Sequence, residues 1–295
     1  MHRQGYDIRI ATGSVAAGGT IGALIPPSIL LILFGIQAEV SITKLFMGGL
    51  VVGVISLALY IAAVMISYVL APERLPRAAA STWEERMDGL REVWPVLLMI
   101  VVVFGGLFSG LFTATEAGAV GAIIAIVIGI ARRTLTWKLF SESCVDTLLS
   151  SGSLFMIAIG ANLFTRLVAL SGLSRWIGTG IESLGLGVLG ILILITLIYL
   201  ALGMFLEPIG AMLLTLPLFL PLIKDMGIDV IWFGILLAKL LEIGMITPPV
   251  GLNVFVIHSV AKDFVKLEQI FAGILPFLAA DLLLVVGMLA THALF

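Results

Sequence analysis

The residues whose types and spacing suit chemistry lie in two short stretches, "GTIGALIPPS" at 19–28 and "GMITPPVGLN" at 244–253. Each stretch combines glycines, a threonine hydroxyl and a proline pair within an otherwise aliphatic run. Because proline lacks an N–H and clashes with the carbonyl group four residues earlier, a proline pair unwinds a helix. The released carbonyl groups and the hydroxyls suit a small hard cation such as Na⁺. The amide groups that begin the next helix suit a carboxylate.

The composition indicates whether these breaks lie in water or in lipid. Hydrophobic residues make up 61% of the 295 residues and charged residues only 12%, about half the charged share of a water-soluble domain. We therefore predict an all-α polytopic membrane protein. In lipid, irregular backbone persists only where it is buried or lines a cavity, so both breaks are candidate binding sites. The net charge of −2 gives no basic surface for nucleic acid, and the single cysteine excludes a disulfide framework.

The two stretches belong to an internal repeat. With a shift of 222 residues and no gap, residues 20–32 fall on residues 242–254, and Gly22, Pro26 and Pro27 each meet an identical residue. Between the copies the chain is predicted to cross the membrane an odd number of times, which gives the copies opposite orientations. Such inverted repeats with discontinuous helices are typical of secondary transporters. The predicted continuous spans, each long enough for roughly 30 Å of hydrocarbon, are 43–70, 94–113, 115–131, 143–170 and 270–294.

Two further features complete the predicted topology. The apolar region 187–262 is broken at "LEP" (206–208), and we interpret 187–224 as a re-entrant hairpin. The segment 71–93, with interleaved arginines and glutamates, is predicted to be an amphipathic connector in the cytoplasm, because lysine and arginine concentrate on its side of the membrane. Only the second copy has a hairpin before it, so equal halves would require on the order of 130 residues before residue 1.

Four segments carry a family resemblance. They are "GYDIRIATGSVAAGGTIGALIPPS" (5–28), "GLFTATEAGAVGA" (110–122), "GMFLEPIGAMLLTLPLFLP" (203–221) and "EIGMITPPVGLNVFV" (242–256). In this order they resemble the signature segments of the large (DctM-type) membrane subunit of TRAP transporters, the tripartite ATP-independent periplasmic family. The resemblance implies a Na⁺-coupled secondary importer of organic acids in the bacterial inner membrane, with an elevator-type transport domain. It also implies a small membrane subunit, a periplasmic solute-binding protein and a further amino-terminal portion with a first hairpin.

Together with this resemblance, the topology predicts the division of the chain. A transport domain of 1–37 and 187–262 slides as a unit against scaffold helices within 38–186, and 263–295 form an amphipathic segment and the final membrane helix. The expected function is import of an organic anion, such as a C4-dicarboxylate or a sugar acid, coupled to inward Na⁺ flow. No cofactor other than Na⁺ as coupling ion is expected.

Single residues at the breaks receive expected roles. Carbonyl groups near the glycines and two threonine hydroxyls are predicted to line cation sites, and neighbouring polar groups to contact substrate. In a second interpretation, the Ser28 and Thr20 hydroxyls bond to their own helices, and Glu207 at the hairpin tip is a helix cap rather than a site carboxylate. The predicted ion-binding residues are Gly19, Thr20, Gly22, Pro26, Gly244, Thr247 and Pro248. The predicted substrate-binding residues are Ser28, Glu207, Pro249, Gly251 and Asn253.

Other interpretations stay open at this stage. Lys239 and Glu242, three residues apart on one helix, are predicted to pair with each other, and Asp281 in the final span has no assigned role. The chain could also be a stand-alone Na⁺/carboxylate symporter that needs no periplasmic protein, or a non-transporting truncated fragment. An enzyme is disfavoured, because the sequence has no HExxH, Walker, GxSxG or CxxC motif and no nucleophile–base arrangement.

Overall fold

The computed structural model describes residues 6–72, 82–173, 176, 178–180, 185–262 and 264–292. These residues form α-helices with no strand among them, and seven helical segments in this described part are long and apolar enough to cross a membrane. The predicted all-α polytopic membrane fold is therefore confirmed. The helices are α1 (Ile8–Leu24), α2 (Ile29–Ala38), α3 (Ile42–Leu70), α4 (Trp83–Phe108), α5 (Ala114–Ala131), α6 (Trp137–Ser171), α7 (Val188–Phe205), α8 (Pro208–Asp225), α9 (Val230–Gly244), α10 (Leu252–Ala261) and α11 (Leu267–Ala290).

The chain forms two compact units. One contains Met1–Pro76 and Ile159–Phe295, and the other contains Arg77–Ala158. Helices α1 to α3 and α7 to α11 belong to the first unit, α4 and α5 belong to the second, and α6 contributes to both. The division into a transport domain of 1–37 and 187–262 and a separate scaffold stays a prediction.

In the second unit, α4 and α5 pack against each other. α4 begins at Trp83 because Thr82 and Glu85 form a capping box, in which each side chain accepts a hydrogen bond from the backbone amide of the other. The part of the predicted connector 71–93 from Trp83 onward forms the first stretch of α4, and its role as a cytoplasmic connector stays a prediction. Residues 73–81 of that connector lie outside the described residues.

In the first unit, α7 and α8 form the predicted hairpin. The chain reverses at Leu206 and Glu207, and the hydroxyl groups of Tyr199 and Thr215 join the two arms by a hydrogen bond of 2.6 Å. Each arm has 18 residues and is long enough by itself to cross a bilayer. Re-entry of the hairpin at mid-membrane therefore stays a prediction.

The helices of the two repeat copies pack in a reciprocal pattern. α1 packs against α11, which follows the second broken helix, and α9 packs against α3, which follows the first. At one crossing, Gly13 lies directly against the backbone of Gly273, and at the other Gly48 faces the Ile235 side chain. Gly13 and Ile235 are equivalent under the 222-residue shift. Contacts exchanged in this way are those expected of two copies related by a two-fold axis.

Candidate functional site

The first break is short and is bridged by a serine. Residues 25–28 separate α1 from α2, and the Pro26–Pro27 peptide bond is cis. The Ser28 hydroxyl donates to the Ala23 carbonyl group and accepts from the Leu31 amide at 3.3 Å. Ser28 is only 2% exposed. Its hydroxyl therefore bonds to the two flanking helices, as in its second interpretation, and contact of Ser28 with substrate stays a prediction.

The second break is longer. Residues 245–251 separate α9 from α10, and the Pro248–Pro249 peptide bond is cis as in the first break. Gly251 has a φ of 56°, in the left-handed region that glycine adopts without a clash from Cβ. The Thr247 hydroxyl donates to the Ile243 carbonyl group at 2.7 Å. Because that bond uses its one proton, the Thr247 oxygen remains available only as an acceptor or ligand.

The structure corrects the predicted extent of the breaks. Gly19, Thr20 and Gly22 lie within the last two turns of α1 rather than in unwound chain, and Gly244 is the last residue of α9. The physical reason is that a helix loses hydrogen-bond donors only at its prolines. The amide that would bond to the Gly22 carbonyl group belongs to Pro26, so Gly22 loses its usual helical donor while Gly19 does not.

The helices that flank the two breaks lie against each other. α1 packs against α10, and a Cβ placed on Gly19 would lie 3.8 Å from the side-chain nitrogen of Asn253. The backbone amide of Asn253 donates to the Met245 carbonyl group at 3.0 Å, which fixes the start of α10 against the second break. Gly19 and Gly22 are exposed, as are Pro248 and Pro249. The structure thus brings together the exposed backbone of α1 and the Asn253 side chain.

The hairpin contacts the end of α9, just before the second break, through glycines. The backbones of Gly203 in α7 and Gly244 in α9 lie so close together that a Cβ on Gly244 would overlap Gly203. Glu207, at the turn of the hairpin, is exposed and accepts a hydrogen bond from the Gly210 amide at 2.8 Å. This bond confirms the helix-cap interpretation for the Glu207 carboxylate, and its contact with substrate stays a prediction.

A buried group of polar side chains adjoins the first break, and we name it the charge cluster. Lys239 in α9 pairs with Asp281 in α11 at 2.7 Å and with Glu242 at 3.3 Å. Tyr60 in α3 donates to Asp281 at 2.7 Å, and its hydroxyl lies 3.5 Å from that of Thr20 in α1. Thr20, Lys239 and Glu242 are 0% exposed. The predicted pairing of Lys239 with Glu242 is confirmed, and Asp281 is the closer partner.

Two sequence signals point to the charge cluster. An ionisable residue within a membrane helix needs a partner, and Lys239 is the candidate for Asp281. Thr20 and Glu242 also occupy equivalent positions of the repeat, which a two-fold axis can bring together. No sequence signal pointed to Tyr60, because tyrosine is common in apolar helices.

A repeated pair of discontinuous helices, in contact with each other and with a hairpin, defines the architecture of a secondary transporter. The chain belongs to the family described as "Tripartite ATP-independent periplasmic transporter, DctM component", which matches residues 1–294. The resemblance found in the four sequence segments is thus confirmed.

Curated relatives agree with this family. The chain is 34% identical over 266 residues to the C4-dicarboxylate TRAP transporter large permease protein DctM of Pseudomonas aeruginosa, covering 88% of the chain and 61% of the relative. It is 31% identical over 280 residues to the sialic acid TRAP transporter permease protein SiaT of Haemophilus influenzae, covering 94% and 45%. It is 31% identical over 303 residues to the isethionate TRAP transporter permease protein DctMQ of Oleidesulfovibrio alaskensis, covering 99% and 45%. The chain therefore spans 45% to 61% of the length of these three relatives.

Family membership and the apolar helices together identify a multi-pass protein of the bacterial inner membrane. The relatives are named as transporter permeases, so the chain is grouped with transporters rather than with enzymes.

Proposed function

We propose that the chain carries out Na⁺-coupled secondary uptake of an organic anion, as the large permease subunit of a TRAP transporter. The observation that supports this most strongly is the contact between the two repeat-related discontinuous helices, where Gly19 of α1 lies against the Asn253 side chain of α10. Breaks of this kind in inverted repeats are the usual location of substrate and ion sites in secondary transporters.

The cation would bind to oxygen atoms at the ends of α1 and α9. The Gly22 carbonyl group has no helical donor, because the residue four positions later is Pro26, which lacks an N–H. The Thr247 hydroxyl donates its proton to the Ile243 carbonyl group, so its oxygen has lone pairs to offer to a cation. Both oxygens lie at carboxyl-terminal helix ends, which carry a partial negative charge that favours a cation.

The anion would bind to amide groups at the starts of α2 and α10. Helix amino termini carry unpaired N–H groups and a partial positive charge, which favour a carboxylate or a sulfonate. Asn253, in the first turn of α10, adds a side-chain N–H donor beside Gly19. A cation at the neighbouring helix ends would strengthen anion binding, and by reciprocity the anion would strengthen cation binding. This mutual effect is the proposed origin of coupling.

The moving part would include α3 and α11 in addition to the broken helices. Tyr60 of α3 and Asp281 of α11 are bound to each other, and Asp281 is paired with Lys239 of α9. Sliding of α9 without these two helices would break a buried ion pair, which is strongly unfavourable. The proposed partners are a small membrane subunit and a periplasmic solute-binding protein, as in the family.

Uptake by proteoliposomes tests the proposal. The vesicles contain the permease, its small membrane subunit and its binding protein. Labelled C4-dicarboxylate, sialic acid and isethionate, the solutes named for the relatives, form the first panel. We expect uptake of an organic anion under an inward Na⁺ gradient and about tenfold less when K⁺ replaces Na⁺.

The other outcomes separate the alternatives. Uptake that ignores Na⁺ and follows a proton gradient would contradict the ion assignment. Na⁺-driven uptake without the binding protein would favour the stand-alone symporter, and failure to transport any organic anion would favour the non-transporting fragment.

A further inference from the structure

The charge cluster contains more acidic than basic groups. Lys239 supplies one positive charge, whereas Glu242 and Asp281 supply two negative charges when both are ionised. All three side chains are 0% or 1% exposed, and they lie between helices of an apolar membrane bundle. An uncompensated charge in such surroundings is strongly unfavourable, so one further positive charge is required.

Both hydroxyl protons of the charge cluster are already in use. Lys239 points its ammonium group at both carboxyl groups and lies 5.7 Å from the centre of the Tyr60 ring. The Tyr60 hydroxyl donates its proton to Asp281, because an ionised carboxylate can only accept. The Thr20 hydroxyl donates its proton to the Ala17 carbonyl group at 2.8 Å.

Among the described residues, two carboxyl oxygens of the cluster have no hydrogen-bond donor, Asp281 Oδ1 and Glu242 Oε1, but Asp281 Oδ1 lies 2.7 Å from the Lys239 ammonium group. Glu242 Oε1 is buried and has no hydrogen-bond partner among the described residues. The Thr20 hydroxyl, which lies 3.5 Å from that of Tyr60, has committed its own proton to Ala17 and can only accept. A single proton on Glu242 Oε1 makes this carboxyl group neutral and cancels the net charge of the cluster.

We propose that the charge cluster is a proton-binding site, with one exchangeable proton held on Glu242 Oε1. The proposal is independent of the proposed Na⁺-coupled transport, since it follows from the charges and donors of four membrane helices.

Other titratable groups on the helices packed against α9 leave this balance unchanged. α2 has none, and the Tyr199 hydroxyl of α7 is paired with Thr215. The others lie in the first or last turns of their helices and are Arg9, Lys44, Tyr68, Lys224, Asp225 and Glu268.

Infrared spectroscopy of the purified permease in detergent tests the site. A protonated buried carboxylic acid gives a carbonyl-stretch band distinct from ionised carboxylates, and the band shifts in D₂O when the proton exchanges. We expect this band in the wild type and its loss in Glu242→Gln. Asp281→Asn should also lose the band, because Lys239 then balances Glu242 alone. Lys239→Gln should give about twice the band area, because both carboxyl groups must then be neutral.

A matched control and a Na⁺ titration complete the test. Glu268→Gln, at an exposed position of α11, should leave the band unchanged. If Asp281→Asn or Lys239→Gln fails to fold, the wild type and the isosteric Glu242→Gln still decide the outcome. The proposal is overturned if the wild type shows no band, if Glu242→Gln retains it, or if Na⁺ removes it with release of a proton. The last result would assign the site to a sodium ion.

Discussion

The threonine hydroxyls at the two breaks direct their protons towards the backbone. Thr247 donates to Ile243 at 2.7 Å, and Thr20 donates to Ala17 at 2.8 Å. Each oxygen keeps its lone pairs for another partner. Their surroundings differ, because Thr247 is half-buried at the second break whereas Thr20 is buried in the charge cluster. Thr247 is therefore the better candidate for a cation ligand.

The role of Thr247 is testable by removing its oxygen. Thr247→Val keeps the shape of the side chain but offers no lone pair. We expect the Na⁺ concentration for half-maximal uptake to rise about tenfold, because one ligand of the proposed cation site is lost. Thr247→Ser is the matched control and should behave like the wild type. If Thr247→Val and Thr247→Ser show the same Na⁺ dependence at equal expression and Tm, Thr247 is not a ligand of the cation site.

At the residue scale, the sequence predicted the location of the breaks better than the role of each side chain. The proline pairs identify where donors are missing, since that follows from covalent structure. Ser28 and Glu207 were harder to interpret, because a polar side chain near a helix start can either cap the helix or face a ligand. Their hydrogen bonds to Leu31 and Gly210 show that both act as caps.

At the scale of elements, the crossing of α1 and α11 depends on two glycines. A Cβ on Gly273 would overlap the Arg9 carbonyl group, and a Cβ on Gly13 would overlap the backbone of Gly273. Small residues of this kind let membrane helices approach closely and gain van der Waals contact. The obstacle to a larger residue is backbone, which cannot rotate away as a flexible side chain can.

Gly273→Ala should therefore destabilise the permease. Forcing the two helices apart is expected to cost about 1–3 kcal/mol, the usual range for overpacking, and to lower the Tm measured in detergent. Gly287→Ala, in the same helix with no atom within 4 Å of its Cβ, is the control and should leave the Tm unchanged or slightly raised. If Gly273→Ala and Gly287→Ala have the same Tm, α1 and α11 do not cross as closely as described.

Helix ends were the elements that the sequence predicted least well. The apolar run 94–113 marks the part of α4 that suits lipid, but α4 begins at Trp83 because hydrogen bonds at Thr82, rather than hydrophobicity, set its start. Similarly, Gly19 and Gly22 remain helical because glycine lowers helix propensity without removing a donor. Composition thus located the spans, and backbone hydrogen bonding decided their limits.

At the scale of the whole molecule, the internal repeat carried most of the predictable information. Identity at Gly22, Pro26 and Pro27 in fixed register indicated two related broken helices, and the reciprocal packing of α1 on α11 and α9 on α3 agrees with it. The ion pair between Lys239 and Asp281 could not be derived in the same way. It joins helices from different parts of the chain, and no periodicity links its members.

The central claim is that the two discontinuous helices meet, with Gly19 of α1 beside Asn253 of α10. Cysteine cross-linking in membranes tests it most directly, after Cys144, an exposed residue, is replaced by serine. The test pair is Gly19→Cys with Asn253→Cys. The control pair is Gly19→Cys with Val260→Cys, an exposed position two turns and about 10 Å further along α10.

With a short thiol-specific cross-linker, we expect efficient linkage of the test pair and little linkage of the control pair. Linkage of the test pair no faster than that of the control pair would mean that the broken helices do not come together. The proposed site would then be contradicted.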